Sequence, residues 1–103
     1  YTNNYDTEYG TVSTNTWYHI AMTVDSSGIK FYINGSLVGS NTWTGTAGAP
    51  TTTTNLSLGY YPGNTAGGQY YDGEISQVSI YNKALSSTEV TKNFNALRAR
   101  FGI

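Results

Sequence analysis

What most constrains this chain is a period-two pattern of apolar residues cut by two tight turns. Between Trp17 and Val24, Ile20, Met22 and Val24 fall on one face and Trp17, His19, Ala21 and Thr23 on the other. That alternation predicts a strand with both faces at least half covered. Asp25-Ser26-Ser27-Gly28 is a turn sequence, after which Ile29, Phe31 and Ile33 share a face opposite Lys30, Tyr32 and Asn34. The two stretches form a hairpin. Asn34-Gly35 then supplies the pair of positive φ angles that a type I′ turn needs, so Ser36 to Ser40 is expected to return as a third strand.

The remaining segments are read against that hairpin. Residues 1–16 are polar, with Tyr5 and Tyr9 spaced like positions of an outer strand and Gly10 at a turn. Asn41 to Asn55 is a long connection of low complexity, in which Thr42 to Thr46 is expected to pair weakly. Leu56 to Gly59 reads as a short strand, and Tyr60 to Gly68, with Tyr-Tyr-Pro-Gly and further glycines, as a protruding loop. A strand is expected from Glu74 to Tyr81. There Val78 and Ile80 share a face, Ile75 breaks their parity, and a bulge near Ser76-Gln77 would reconcile them.

The C-terminal segment changes period. Ser86-Ser87-Thr88-Glu89 is a capping box, with Leu85 and Val90 placed for a hydrophobic staple. Val90, Phe94 and Leu97 then recur at helical spacing, Lys92, Arg98 and Arg100 lie toward the negative end of the dipole, and Gly102 stops the run. A helix over about residues 87–98 follows, and one helix after a series of strands is a clamp on a sheet rather than an α/β fold.

Composition supports an all-β chain. Thr, Ser, Asn and Gly make 48 of 103 residues and Leu, Ile, Val and Phe only 19, so ten Tyr and two Trp must supply much of the buried area. The length fits a single domain over residues 1–103, with its strands within 1–81. There is no cysteine, which removes disulfides and thiolate metal sites. Five Lys+Arg against six Asp+Glu is not the basic footprint that a phosphate backbone demands, so no nucleic-acid partner is expected. No apolar run approaches the roughly 20 residues that cross a bilayer. Opening on Tyr1 rather than Met, the chain reads as a processed product or the tail of something longer.

Three blocks carry a family resemblance: Trp17 to Asp25, Phe31-Tyr32-Ile33-Asn34-Gly35, and Gly73 to Ser86. Together, in order and spacing, they resemble the concanavalin A-like, laminin G-like domain superfamily. The ending from Asn93 to Ile103 further resembles the C-termini of such domains in structural proteins of marine bacteriophages and in bacterial surface proteins. The resemblance implies an all-β jelly-roll sandwich of antiparallel sheets, here its C-terminal portion, with one short terminal helix. Such a portion would expose an apolar face or unpaired edges, so another chain segment or protomer is expected to complete the sheets.

The same resemblance frames the candidate chemistry. The family includes glucanases whose active strand runs Glu-x-Asp-x-x-Glu, placing a carboxylate pair about 5 Å apart for retaining hydrolysis. Here the string is Glu74-Ile75-Ser76-Gln77-Val78-Ser79, lacking two of the three carboxylates, so no catalytic residue is assigned and no enzyme activity is expected. His19, the only histidine, is expected to bond a neighbouring carbonyl. Related modules hold calcium at the sandwich rim; Asp6, Glu8, Asp25 and Asp72 are the available ligands, with Asp25 and Asp72 foremost, and they follow no loop motif. A glycan site needs aromatic faces for the apolar side of a pyranose and fixed polar groups for its hydroxyls. Tyr60, Tyr61, Asn64, Gln69, Tyr70, Tyr71 and Asp72 meet that need, against the plainer reading that these tyrosines pack the sandwich with their hydroxyls on backbone. Asn34-Gly35-Ser36 and Asn55-Leu56-Ser57 match the N-glycosylation pattern, as chance allows in so polar a chain.

The expectation is thus a non-catalytic recognition or adhesion module, extracellular or on a virion surface, binding a glycan or cell-surface polysaccharide. Capsid decoration or a tail role through protein contacts is the alternative, and a degenerate glucanase the second.

Overall fold

The computed structural model describes residues 9–43, 55–61 and 69–103. Its elements are β1 (Ile20–Val24), β2 (Gly28–Ile33), β3 (Ser36–Thr42), β4 (Tyr60–Tyr61), β5 (Gln69–Tyr70) and α1 (Ser87–Phe101). They group into two compact units. One holds β1 to β3 with Tyr81–Ile103; the other holds β4 and β5 with the residues up to Ile80.

In the first unit the three strands form an antiparallel sheet in the order β1-β2-β3. Its local causes are the ones written in the turns. Asp25 Oδ1 accepts from the backbone N–H of Ser27 and of Gly28 and from the Ser27 hydroxyl, while Asp25 N–H donates to Gly28 O at 3.0 Å, closing the first hairpin. Asn34 and Gly35 adopt φ of 50° and 78°, the left-handed pair of a type I′ turn. The Asn34 side chain also accepts from His19 N–H at 2.9 Å, so this amide of the Asn34-Gly35-Ser36 pattern is engaged by the turn itself. A bulge lies between Phe31 and Tyr32 in the β2–β3 pairing, not near Ser76-Gln77.

Register sorts the sheet into two faces. Ile20, Met22 and Val24 stand opposite Ile33, Phe31 and Ile29, which makes one aliphatic face; Ala21 and Thr23 stand opposite Tyr32 and Lys30 on the other. The second face is the covered one, with Tyr32 2% and Thr23 8% exposed. Helix α1 seals the same side from the hairpin end. Its Val90 and Phe94 are buried, the Phe94 ring lies 5.9 Å from His19, and Trp17 meets Phe101 at 5.1 Å. Thr91 Oγ1 donates to Gly35 O at 3.0 Å, and a Cβ on Gly35 would sit 3.0 Å from the Phe94 ring, so the glycine serves both the turn and the helix.

The aliphatic face behaves differently from the sequence expectation of two half-covered faces. Tyr9 lies over part of it, its ring 5.1 Å from Phe31 and its hydroxyl donating to Ser40 O, in a slot that exists because Gly39 has no Cβ. Gly10, with φ of 78°, sits on Ile33. Neither reaches β1. Ile20, Met22 and Val24 remain 66%, 59% and 48% exposed, forgoing much of the roughly 1.5–3 kcal/mol that full burial of each such side chain returns.

The helix starts and stops where its sequence says. The Ser86 hydroxyl accepts from Glu89 N–H at 3.2 Å and Glu89 Oε2 accepts from Ser86 N–H at 2.9 Å. Gly102, at φ 68°, donates to Arg98 O. The helix runs to Phe101 rather than ending near 98, because Phe101 has Trp17 to pack on. Among the described residues no helix is long and apolar enough to cross a membrane.

Two strand expectations need correction. Residues 56–59 are not a strand: the positive φ of Gly59 (69°) bends the chain, and pairing begins only at Tyr60. Glu74 to Tyr81 pairs with no strand among the described residues, since a β-prone sequence becomes a strand only beside a partner. The reading of Thr44 to Thr46 and of Tyr1 to Glu8, with Tyr5, lies outside the described residues.

Candidate functional site

The second unit gathers the tyrosines singled out in the sequence. Tyr60-Tyr61 is not part of a protruding loop but strand β4, antiparallel to β5, with Tyr60 opposite Tyr70 and Tyr61 opposite Gln69. Tyrosine favours a pleated, half-exposed surface over the turn that the following Pro-Gly suggests. Tyr71 N–H donates to Gly59 O at 2.9 Å, extending the pairing by one bond.

Cross-strand register puts two rings together. Tyr60 and Tyr70 stack with centroids 5.0 Å apart and planes inclined by 27°, the offset geometry that aromatic quadrupoles favour. Tyr61 follows Tyr60 on β4 and Tyr71 lies just past β5, its ring folded over Gly73, where a Cβ would come within 2.8 Å of it. All four rings are exposed, from 42% at Tyr60 to 74% at Tyr70. Among the described residues none of their hydroxyls has a hydrogen-bond partner. Asp72 is exposed beside Tyr71, Gln69 contributes its backbone to β5, and Asn64 lies outside the described residues. Stacked tyrosines with unpartnered hydroxyls can hold the apolar face of a flat, hydroxyl-rich ligand and donate to its oxygens.

The other candidates are not brought together. Asp25 spends Oδ1 on its own turn, and those bonds, the Ser27 hydroxyl first, hold its carboxyl below the usual range. It stands in a different unit from Asp72. Among the described residues no three His, Asp or Glu side chains converge. Asp6 and Glu8 lie outside the described residues. Glu74 is an exposed carboxylate in a stretch that pairs with no strand among the described residues. His19 departs from expectation: it is half-buried against Phe94, and Nδ1 has no partner among the described residues. Desolvation lowers its pKa.

Sequence reasoning missed the pairing of Tyr60 with Tyr70. Its signal was available, as two Tyr-Tyr dipeptides flank one Pro- and Gly-containing stretch, the pattern of an aromatic hairpin.

Comparison with known proteins agrees with this architecture. No curated protein matches the chain. Among solved structures it is similar to the S-layer domain-containing protein (residues 221–444) of Clostridium thermocellum ATCC 27405, with a TM-score of 0.68 and 26% identity. That match covers 82% of this chain and 42% of the other, so the chain spans less than half the length of its solved neighbour. Residues 2–91 match the Laminin_G_3 family model, described as concanavalin A-like lectin/glucanases superfamily. With the antiparallel sheet, the type I′ hairpin and the terminal helix in place, the chain belongs to the laminin G-like branch of the concanavalin A-like lectin/glucanases superfamily.

Proposed function

We propose that this chain is a non-catalytic recognition module of an extracellular surface protein, and that it takes carbohydrate on the tyrosine hairpin. The observation that carries the reading is the stacked, exposed Tyr60–Tyr70 pair with hydroxyls unpartnered among the described residues. A pyranose lays its C–H face on such a ring, while Asp72, Gln69 and Asn64 are the polar residues in reach along the sequence for its hydroxyls. The concanavalin A-like family and the solved neighbour's S-layer domain support a surface setting. Titration with a panel of soluble polysaccharides, followed by tyrosine fluorescence and amide shifts, tests it. Binding that Tyr70→Ala weakens about tenfold, or about 1.4 kcal/mol, is the expected result. No shift with any saccharide, and silence of both Tyr60→Ala and Tyr70→Ala, would overturn it.

A second reading has its own observation. The open aliphatic face of β1 favours an architectural role through protein contacts, as in a surface layer or a virion. Symmetric copies of the chain in an isolated envelope or particle would establish that role.

A further inference from the structure

We propose that the tyrosine hairpin selects amine-bearing saccharides, chains with a free ammonium on the pyranose ring, over neutral ones and above all over anionic ones; this deepens the carbohydrate reading of the same site and rests on it. Two observations beyond the stacked rings carry the choice. The first is charge. Residues 49–80, the unit that holds the hairpin, contain Asp72 and Glu74 and no Lys, Arg or His, so two carboxylates and no cation give that unit −2 where the whole chain is −1. A uronate or sulfated chain meets like charge there, and the unit has no ammonium or guanidinium to receive it.

The second is where the carboxylates fall. The phenol end of Tyr71 rests on Gly73, where a Cβ would come within 2.8 Å of its Cζ and of its hydroxyl oxygen. Asp72 and Glu74 are the residues on either side of that glycine. Both are exposed, and neither has a hydrogen-bond or ion-pair partner among the described residues. Tyr71 is in turn fixed to the first strand of the hairpin by its N–H on Gly59 O, the residue before Tyr60. One ring and two unspent carboxylates therefore gather at the end of the hairpin where Tyr60 stands opposite Tyr70.

Other carboxylates in the chain are spent on structure. Asp25 closes its own turn, and Glu89 serves the Ser86 cap and pairs with Lys83. Asp72 and Glu74 do neither, so their charge is available to a ligand. An aromatic face attracts a cation within about 6 Å of its centroid, and a nearby carboxylate adds Coulomb attraction. An ammonium gains from both groups, a neutral N-acetyl group from neither, and a uronate is repelled by both. The fitting ligand lays a pyranose on the stacked pair and an ammonium toward Tyr71, Asp72 and Glu74.

Three pyranose tetramers of the same linkage but different charge test this: glucosamine, N-acetylglucosamine and mannuronate. Each is titrated into the chain by calorimetry at about pH 6, where both carboxylates are ionised. In low salt the glucosamine tetramer is expected to bind about tenfold more tightly than the N-acetylated one, and the mannuronate tetramer about tenfold more weakly. Raising the salt from about 10 mM to about 0.5 M should shrink the preference for glucosamine to about twofold. The double variant Asp72→Asn, Glu74→Gln, which alters two exposed side chains, is expected to shrink it likewise in low salt, whereas Tyr70→Ala weakens every tetramer that binds. Equal affinity for the three tetramers, lost in Tyr70→Ala, would overturn the charge preference and leave the carbohydrate reading standing. So would tightest binding of mannuronate, or a preference for glucosamine that survives the double variant. No binding of any of the three would overturn this proposal, and silence across the panel of polysaccharides as well would overturn the carbohydrate reading with it.

Discussion

The two faces of the three-stranded sheet are made from the same strands and have opposite fates. On one, Trp17 packs on Phe101 and His19 on Phe94 of the helix, and Tyr32 is buried; on the other, Ile20, Met22 and Val24 meet water. By hydropathy alone the second is the more apolar, and a simple rule would bury it first. The difference is one of available partners. The helix is held to the sheet by the Thr91–Gly35 bond, and its Phe94 and Phe101 rings pack on His19 and Trp17. Among the described residues Tyr9 and Gly10 lie across the aliphatic face, on β2 and β3.

The largest effect that separates the faces is expected at Phe94. Phe94→Ala should cost about 3–5 kcal/mol in urea unfolding, since it empties the contact between helix, His19 and the Asn34-Gly35 turn. Met22→Ser, by contrast, should change stability by no more than about 0.5 kcal/mol, because the side chain it removes is already in water. A comparable loss at both positions would abolish the distinction. Gly39→Ala tests the partial cover. Its Cβ would fall 1.9 Å from the Tyr9 ring, so Tyr9 must leave, and a loss of about 1–3 kcal/mol with the Tyr9–Phe31 ring shifts erased in NMR spectra is expected.

The smaller effects sharpen what holds the helix on its face. Ser86→Ala should cost about 1 kcal/mol by thermal or urea melting, the usual worth of an N-cap. Glu89 is pulled down to about 2 by its Lys83 partner first and by the Ser86 backbone next. Its folded pKa therefore lies below its unfolded value of 4.5, so its contribution is complete above about pH 4.5 and is lost as pH falls toward 2. His19 is a base with a folded pKa lowered by desolvation, so the folded state resists its protonation. Stability is expected to hold above its unfolded pKa of 6.5 and to decline below it, and His19→Gln should flatten that part of the pH profile.

How far this contrast was legible in the sequence differs from element to element. Asn34-Gly35, Asp25-Ser26-Ser27-Gly28 and Ser86 to Glu89 each encode a local geometry through their own atoms, and the structure realises all three. Parity along Trp17 to Val24 divides the residues into two sets, correctly, but it carries no information on which set finds a cover. That depends on where a helix some 70 positions downstream is delivered, a tertiary outcome that no local pattern holds (Phe94 against His19 is a separation of 75). The stretch from Glu74 to Tyr81 failed as a strand for a related reason. Its side chains have the preference, but a strand exists only as a pair. At the tyrosine hairpin the residues were identified and their arrangement was not, because stacking of Tyr60 on Tyr70 depends on a register set across the residues between them.

The most direct measurement of the central contrast is relaxation enhancement of side-chain methyl signals by a soluble gadolinium chelate, which reports distance from solvent one residue at a time. The methyls of Ile20, Met22 and Val24 should broaden strongly in the 103-residue chain while those of Val90, fully buried on the inner side of the helix, stay sharp. Equal protection of Met22 and Val90 would contradict the assignment of one closed and one open face.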